Sequence, residues 1–170
     1  GAHVQGRAVT VRTAAGDWAK PVEAIDHAEP GDILVVDAGG KPPAVWGELA
    51  SESCVRKGIS ALVIDGAVRD LDAIREIGFP AWSSLVCATA GEPKGFGEIG
   101  VAVTIGGTRV EHGDWIVADD SGVVRLPQGK ALEVGNRAMD VLEHENRLRE
   151  EIRRGSTLSV QAELPRWEKR

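Results

Sequence analysis

The chain is short of the features that mark several functional classes. It has only two cysteines, Cys54 and Cys87, far apart and without CxxC spacing. That pattern gives no disulfide framework and reads as two reduced thiols in apolar surroundings. No apolar run approaches the roughly 18 residues of a membrane span and no signal peptide is visible, so the sequence reads as cytoplasmic, with no membrane partner. Basic residues are in deficit: 20 Lys and Arg stand against 26 Asp and Glu, a formal net charge of −6. That balance speaks against a nucleic-acid partner. The one basic concentration, Arg147 to Arg154, is interleaved with Glu and reads as a solvated helix face. Internal repeats and low-complexity tracts are absent as well.

What is present is ordinary for a globular chain: 170 residues, 42% hydrophobic and 27% charged, enough for one domain with a real core. The chain opens in a strand-like segment with no leading helix, as expected of a fragment that lacks an N-terminal part. Val4 to Val11 alternates as a strand, and Pro21 to Ala28 places Val22, Ile25 and Ala28 on one side of a short helix. Ile33 to Asp37 and Ile59 to Ile64 are apolar runs short enough to be buried strands. Between them a helix is expected from about Val45 to Lys57, stopped by Gly58. Asp70 to Ile77 reads as a short helix, and Phe79 to Trp82 begins another strand. Strand, helix, strand, helix, strand implies parallel pairing with crossovers. Beyond a Gly-rich loop from Thr89 to Gly100 come short strands at Val101–Ile105, Thr108–Glu111, Trp115–Ala118 and Gly122–Leu126, partly antiparallel. A long helix from about Lys130 to Arg154 follows.

The chemistry concentrates between Gly47 and Asp70. Glu48 falls in the first turn of its helix, where it either favours the positive end of the dipole or faces a site. The free amides of Glu48, Leu49 and Ala50 suit a carboxylate or phosphate. Twenty residues intervene before Arg69, and Asp70 follows directly, after a buried strand. Such strand ends are where α/β sheets place their sites. A guanidinium that grips a carbonyl or carboxylate, beside a hard oxygen ligand, suits a small anionic substrate and Mg²⁺ or Mn²⁺, as in a metal-dependent lyase. Asp65 reads as a strand-end turn former.

Other candidates weigh less. Gly95-Phe96-Gly97-Glu98-Ile99-Gly100 spells GxGxxG, but a Pro-bearing loop precedes it and a β-branched strand follows, so the dinucleotide reading is rejected. Glu111-His112 and Asp119-Asp120 sit in turns where such residues are expected anyway. On the long helix, Val134, Ala138, Val141, Leu148 and Ile152 form an apolar stripe. Glu145 falls on that stripe, either at its wet edge or aimed into a site or a neighbouring subunit.

Together these residues resemble the RraA-like family, which contains class II 4-hydroxy-4-methyl-2-oxoglutarate (HMG) aldolases and regulators of RNase E activity. The likeness runs from about Val4 to Leu158 and is densest in Pro30–Asp37, Gly47–Ala50, Asp65–Asp70 and Gly106 through Val123. It implies an α/β fold, a swivelling β/β/α domain with mixed sheets, crossover helices and a long C-terminal helix. The whole of 1–170 would be a single domain, with a core at about 4–158 and a tail at 159–170. The resemblance also implies a homotrimer or a dimer of trimers with sites between subunits. In those sites Asp70 binds the metal, Arg69 polarises the keto oxygen, and the amides of Gly47 to Ala50 hold the carboxylate of a small 2-oxo acid. Glu48 fills a position usually held by Asp in the aldolases, and Glu145 is the candidate for the glutamate contributed by a neighbouring chain. The implied reaction is retro-aldol cleavage or oxaloacetate decarboxylation through a pyruvate enolate. The alternative is a non-catalytic regulator that binds RNase E or an RNA helicase; that branch need not keep the Asp after the Arg, and Asp70 favours the enzyme. The tail, ending in Trp167-Glu168-Lys169-Arg170, is similar to RraA-type domains fused behind hexulose-phosphate synthases.

Overall fold

The buried strands are the frame of the first of two compact units, Gly1–Gln128 and Gly129–Arg170. The computed structural model describes residues 1–164, so Trp167–Arg170 of the tail lies outside them. In the first unit, β1 (Val4–Thr13), α1 (Ala19–His27), β2 (Ile33–Asp37), α2 (Glu48–Lys57), β3 (Ala61–Val68), α3 (Leu71–Ile77) and β4 (Ala81–Val86) alternate as expected. The remaining strands are β5 (Gly97–Ile99), β6 (Val103–Ile105), β7 (Thr108–Val110), β8 (Trp115–Asp119) and β9 (Gly122–Leu126). The main sheet runs β4-β3-β2-β1-β8-β9, with β5 also on β1, and β6-β7 form a separate hairpin. The β1–β4 pairs are parallel, and β8, β9 and β5 join antiparallel.

The period-2 alternation divides the core between the two sheet faces. Val9, Val11, Leu34, Val36, Leu62 and Ile64 meet Ala24 and Ile25 of α1, Cys54 of α2 and Ile74 of α3. Ala8, Ile33, Val35, Ala61 and Val63 face Val103 and Val110 of the hairpin and Ile116 of β8. A sheet covered on both faces explains why β2 reads as a continuous apolar run. Each fully buried Leu or Ile contributes about 1.5–3 kcal/mol. Cys54 is in this interior, and burial pushes its thiol up to about 12 against a small opposing effect of Lys57. Cys87 is half-buried, and both cysteines are free thiols.

Several elements differ from the expected ones, and those around the Gly47–Asp70 stretch differ most in meaning. Helix α2 begins at Glu48, not Val45, because the Val45 amide donates to Ala67 O (3.0 Å) and Trp46 bridges to Val68. Strand β3 runs on to Val68, so Asp65 is no turn former; it pairs with Asp37 within the strand. The GxGxxG segment contributes β5, which pairs with β1, and no helix follows it.

In the second unit, α4 (Ala131–Arg153) and α5 (Leu158–Gln161) account for the helical end. The apolar stripe on α4 is not a packed face: Val134, Ala138, Val141 and Ile152 are exposed and Leu148 is half-buried.

Candidate active site

The end of β3 and the start of α2 are stitched together by main-chain bonds. Val45 N donates to Ala67 O and Arg69 N donates to Trp46 O, both at 3.0 Å. The turn between them is fixed by Ser51, whose Oγ accepts from Trp46 Nε1 (2.9 Å) and donates to Gly47 O (3.0 Å). Gly47 is extended, so its identity answers to space and not to backbone conformation. A Cβ there would lie 2.6 Å from Asp70 Oδ2 and 3.1 Å from Arg69 Cγ. Only glycine lets the two chain segments approach this closely.

Asp70 stands just before α3 in the left-handed conformation, φ 58° and ψ 40°. That region is unfavourable for most side chains and tolerated by Asp. It turns the carboxylate back over α2: Oδ2 accepts from the Glu48 amide at 3.3 Å and lies 3.4 Å from Arg69 Nε. The Glu48 amide is therefore engaged by Asp70, and the amides of Leu49 and Ala50, in the same first turn, have no partner within the helix.

Beside this junction is a cavity of about 480 Å³. Gly47, Glu48, Leu49, Ala50 and Arg69 all line it, as do Trp18 and Val22 from α1 and its approach. Sequence reasoning missed Trp18, Val22 and Ala90, because nothing local announces that α1 and the 89–96 loop meet at this cavity. It also missed Asp17, whose carboxylate accepts from the amides of Ala19, Lys94 and Phe96 and ties that loop to the start of α1. Burial alone would raise the Asp17 pKa; the backbone N–H bonds outweigh it and hold the carboxyl below its ordinary value. Glu145 is exposed on α4 in the second unit, with its carboxylate 3.8 Å from Arg149.

Among the described residues no group of three His, Cys, Asp or Glu is assembled as a metal cage. The side-chain oxygen donors here are the carboxylates of Asp70, 3.4 Å from Arg69, and of Glu48, on the cavity lining. Such a set fits Mg²⁺ or Mn²⁺ held by one or two carboxylates and completed by water. It does not fit a thiolate- or imidazole-bound metal.

A family model described as RraA-like, Aldolase/RraA, matches residues 1–125. The chain belongs to the RraA-like family. An uncharacterized protein of Methanocaldococcus jannaschii is 40% identical over 157 residues, covering 91% of this chain and 76% of that one. A Halalkalibacterium halodurans protein named "Putative 4-hydroxy-4-methyl-2-oxoglutarate aldolase" is 35% identical, over 79% of this chain and 65% of its own length. The chain thus spans just under two thirds of that aldolase-named relative. Among solved structures, the RNA-processing inhibitor RraA from Thermus thermophilis superposes with a TM-score of 0.71 at 29% identity, over 75% of this chain and 78% of that one. The mixed sheet with crossover helices and the long C-terminal helix are accordingly an RraA-like fold. No helix among the described residues is long and apolar enough to cross a membrane.

Proposed function

We propose that this RraA-like chain is a divalent-metal-dependent lyase that cleaves a 4-hydroxy-2-oxo acid and decarboxylates oxaloacetate by the same enolate route. The observation that carries the reading is the meeting of Arg69 and the first turn of α2 at one cavity, with Asp70 outside its lining but bonded to both Arg69 and the Glu48 amide. The free amides of Leu49 and Ala50 and the Gly47 turn receive the substrate carboxylate at the positive end of the helix. Arg69 donates to the 2-oxo oxygen, where negative charge collects as the C–C bond breaks. Asp70, with its second oxygen available, holds the metal, and Glu48 holds a water that takes the proton of the 4-hydroxyl. Bound there, Mg²⁺ or Mn²⁺ supplies a second positive charge for the developing enolate. Glu145 reaches the site from another copy in a homotrimer or dimer of trimers and returns a proton to the pyruvate methyl.

The test is pyruvate release from HMG and from oxaloacetate, with and without Mg²⁺, read through lactate dehydrogenase against a metal-only control. Turnover that needs both protein and metal is expected. Its absence from a folded oligomer favours the second reading, a non-catalytic regulator that binds RNase E or an RNA helicase. The likeness to the RNA-processing inhibitor RraA supports that alternative.

A further inference from the structure

The 89–96 loop, Thr-Ala-Gly-Glu-Pro-Lys-Gly-Phe, belongs to no helix or strand, so its course is fixed by what it bonds to elsewhere. Asp17 supplies that hold from a buried position, 1% exposed. One of its carboxylate oxygens accepts from the amides of Ala19 and Lys94, both at 3.0 Å, and the other from that of Phe96 at 2.7 Å. The start of α1 and the far end of the loop therefore share one anion. Its neighbours grip the near end: Trp18 Nε1 donates to Gly91 O (3.1 Å), and the Glu92 amide donates to Gly16 O (2.9 Å). The loop in turn holds the chain that enters α2. Ala44 N donates to Thr89 O and Gly91 N donates to Ala44 O, both at 2.8 Å. Trp18, Ala44 and Ala90, one from each of these segments, line the cavity together with Gly47 to Ala50 and Arg69. Asp17 is not on that lining and bonds to neither Arg69 nor Asp70.

We infer that Asp17 is a positioning residue of this site: through the 89–96 loop it fixes Trp18, Ala44 and Ala90 on the cavity lining, and so sets substrate affinity and not the chemical step. This deepens the lyase reading above and rests on it for its kinetic test. The lining meets ground state and transition state alike, and an interaction of that kind moves KM with little effect on kcat. A merely structural role acts differently, because destabilisation removes folded protein and lowers apparent kcat while the remaining sites keep their KM.

Two matched variants test it. Asp17→Asn keeps the side chain's shape but turns an NH₂ group toward amide donors. Asp114→Asn is the control. Asp114 is also a buried carboxylate, 3% exposed, and accepts from the amides of Glu111 and Gln128 and from Arg125, but it holds no lining residue of this cavity. In pyruvate release from HMG or oxaloacetate with Mg²⁺, Asp17→Asn is expected to raise KM about tenfold with kcat within about threefold of wild type. Asp114→Asn is expected to lose stability and keep its KM. An unchanged KM in Asp17→Asn, or an equal rise in both variants, overturns the inference and leaves the lyase reading standing. Should the wild type release no pyruvate, the lyase reading falls, and hydrogen exchange judges the positioning role. The amides of Ala44 and Gly91 are then expected to exchange about tenfold faster or more in Asp17→Asn, with no such change in Asp114→Asn. Unchanged protection, or an equal loss in both variants, overturns the inference. If Asp17→Asn does not fold, Thr13→Val takes its place in both measurements under the same criteria. That change removes the hydroxyl that lies 2.8 Å from Asp17 O and 3.1 Å from Phe96 O.

Discussion

Asp70 Oδ2 lies 3.4 Å from Arg69 Nε and accepts, at 3.3 Å, from the amide of Glu48, 22 residues earlier in the chain. One carboxylate oxygen thereby joins the end of β3 to the start of α2, and both ends of the proposed catalytic apparatus hang on it. The pair is partly solvated, with side chains 41% and 31% exposed, so it contributes little to stability as an ion pair. Its consequence is positional: the guanidinium is held at the cavity, and on the proposed reading the other carboxylate oxygen takes the metal.

Charge and geometry at Asp70 separate in two variants. Asp70→Asn keeps a side chain that tolerates the left-handed backbone and can still accept from the Glu48 amide. It should lose metal-dependent pyruvate release by roughly a hundredfold with little change in Tm. Asp70→Ala should lose the same activity and, in addition, about 1–2 kcal/mol of stability, because alanine has no local compensation at φ 58°. Chemical denaturation of both variants beside the coupled assay gives the comparison. Undiminished turnover in Asp70→Asn would remove Asp70 from the metal's ligands.

Gly47→Ala acts on the same junction from the other side. Its methyl would arrive 2.6 Å from Asp70 Oδ2 and must displace the carboxylate or the arginine beside it. Misplacement on the ångström scale costs on the order of a hundredfold in rate. A loss of that order in kcat/KM is expected, with a stability change smaller than the catalytic one. A variant with wild-type kinetics would show that the close approach is not needed for turnover.

Asp17 predicts an acid limb in stability. Its carboxyl is held below the ordinary value in the folded protein, so the unfolded chain binds the proton first as pH falls. The stabilisation is fully present above the unfolded value of about 4 and is lost as pH drops through the lowered folded value. Asp17→Asn turns an NH₂ group toward backbone donors and should cost about 1–3 kcal/mol at neutral pH. It should also flatten the decline of Tm below about pH 4. Thermal melts of both proteins across that range decide it, and parallel pH curves would mean that the clamp does not titrate with folding.

What the sequence disclosed was whatever is local. The β2 run announced a strand buried on both faces, and Gly58 announced the end of α2, where it takes φ 80°. The Gly47–Ala50 and Arg69–Asp70 segments were visible because both flank strongly patterned elements. The start of α2 was misplaced because Val45 and Trp46 are extended only through bonds to Ala67 and Val68, which no helical periodicity encodes. Asp17 was invisible for the same reason: two of its hydrogen-bond partners lie 77 and 79 residues away. The same loop brings Ala90 to the cavity and holds Trp18 through Gly91 O, so these two lining residues were not readable while Arg69 was.

Glu145 is the residue proposed to come from a neighbouring copy, and mixing inactive subunits tests it. Its bond to Arg149 is long and exposed on α4, so Glu145→Gln should leave stability within about 0.5 kcal/mol of wild type. If Glu145 serves a neighbouring copy's cavity, the Gln variant alone should lose turnover, as should Asp70→Ala alone. Unfolding and refolding an equal mixture places an intact Asp70 and an intact Glu145 at about a quarter of the shared sites, so about a quarter of wild-type activity should return. Were both residues used within one chain, every site in the mixture would carry one lesion and no activity would return. A Glu145→Gln protein with normal kinetics would return the residue to the solvated edge of its helix.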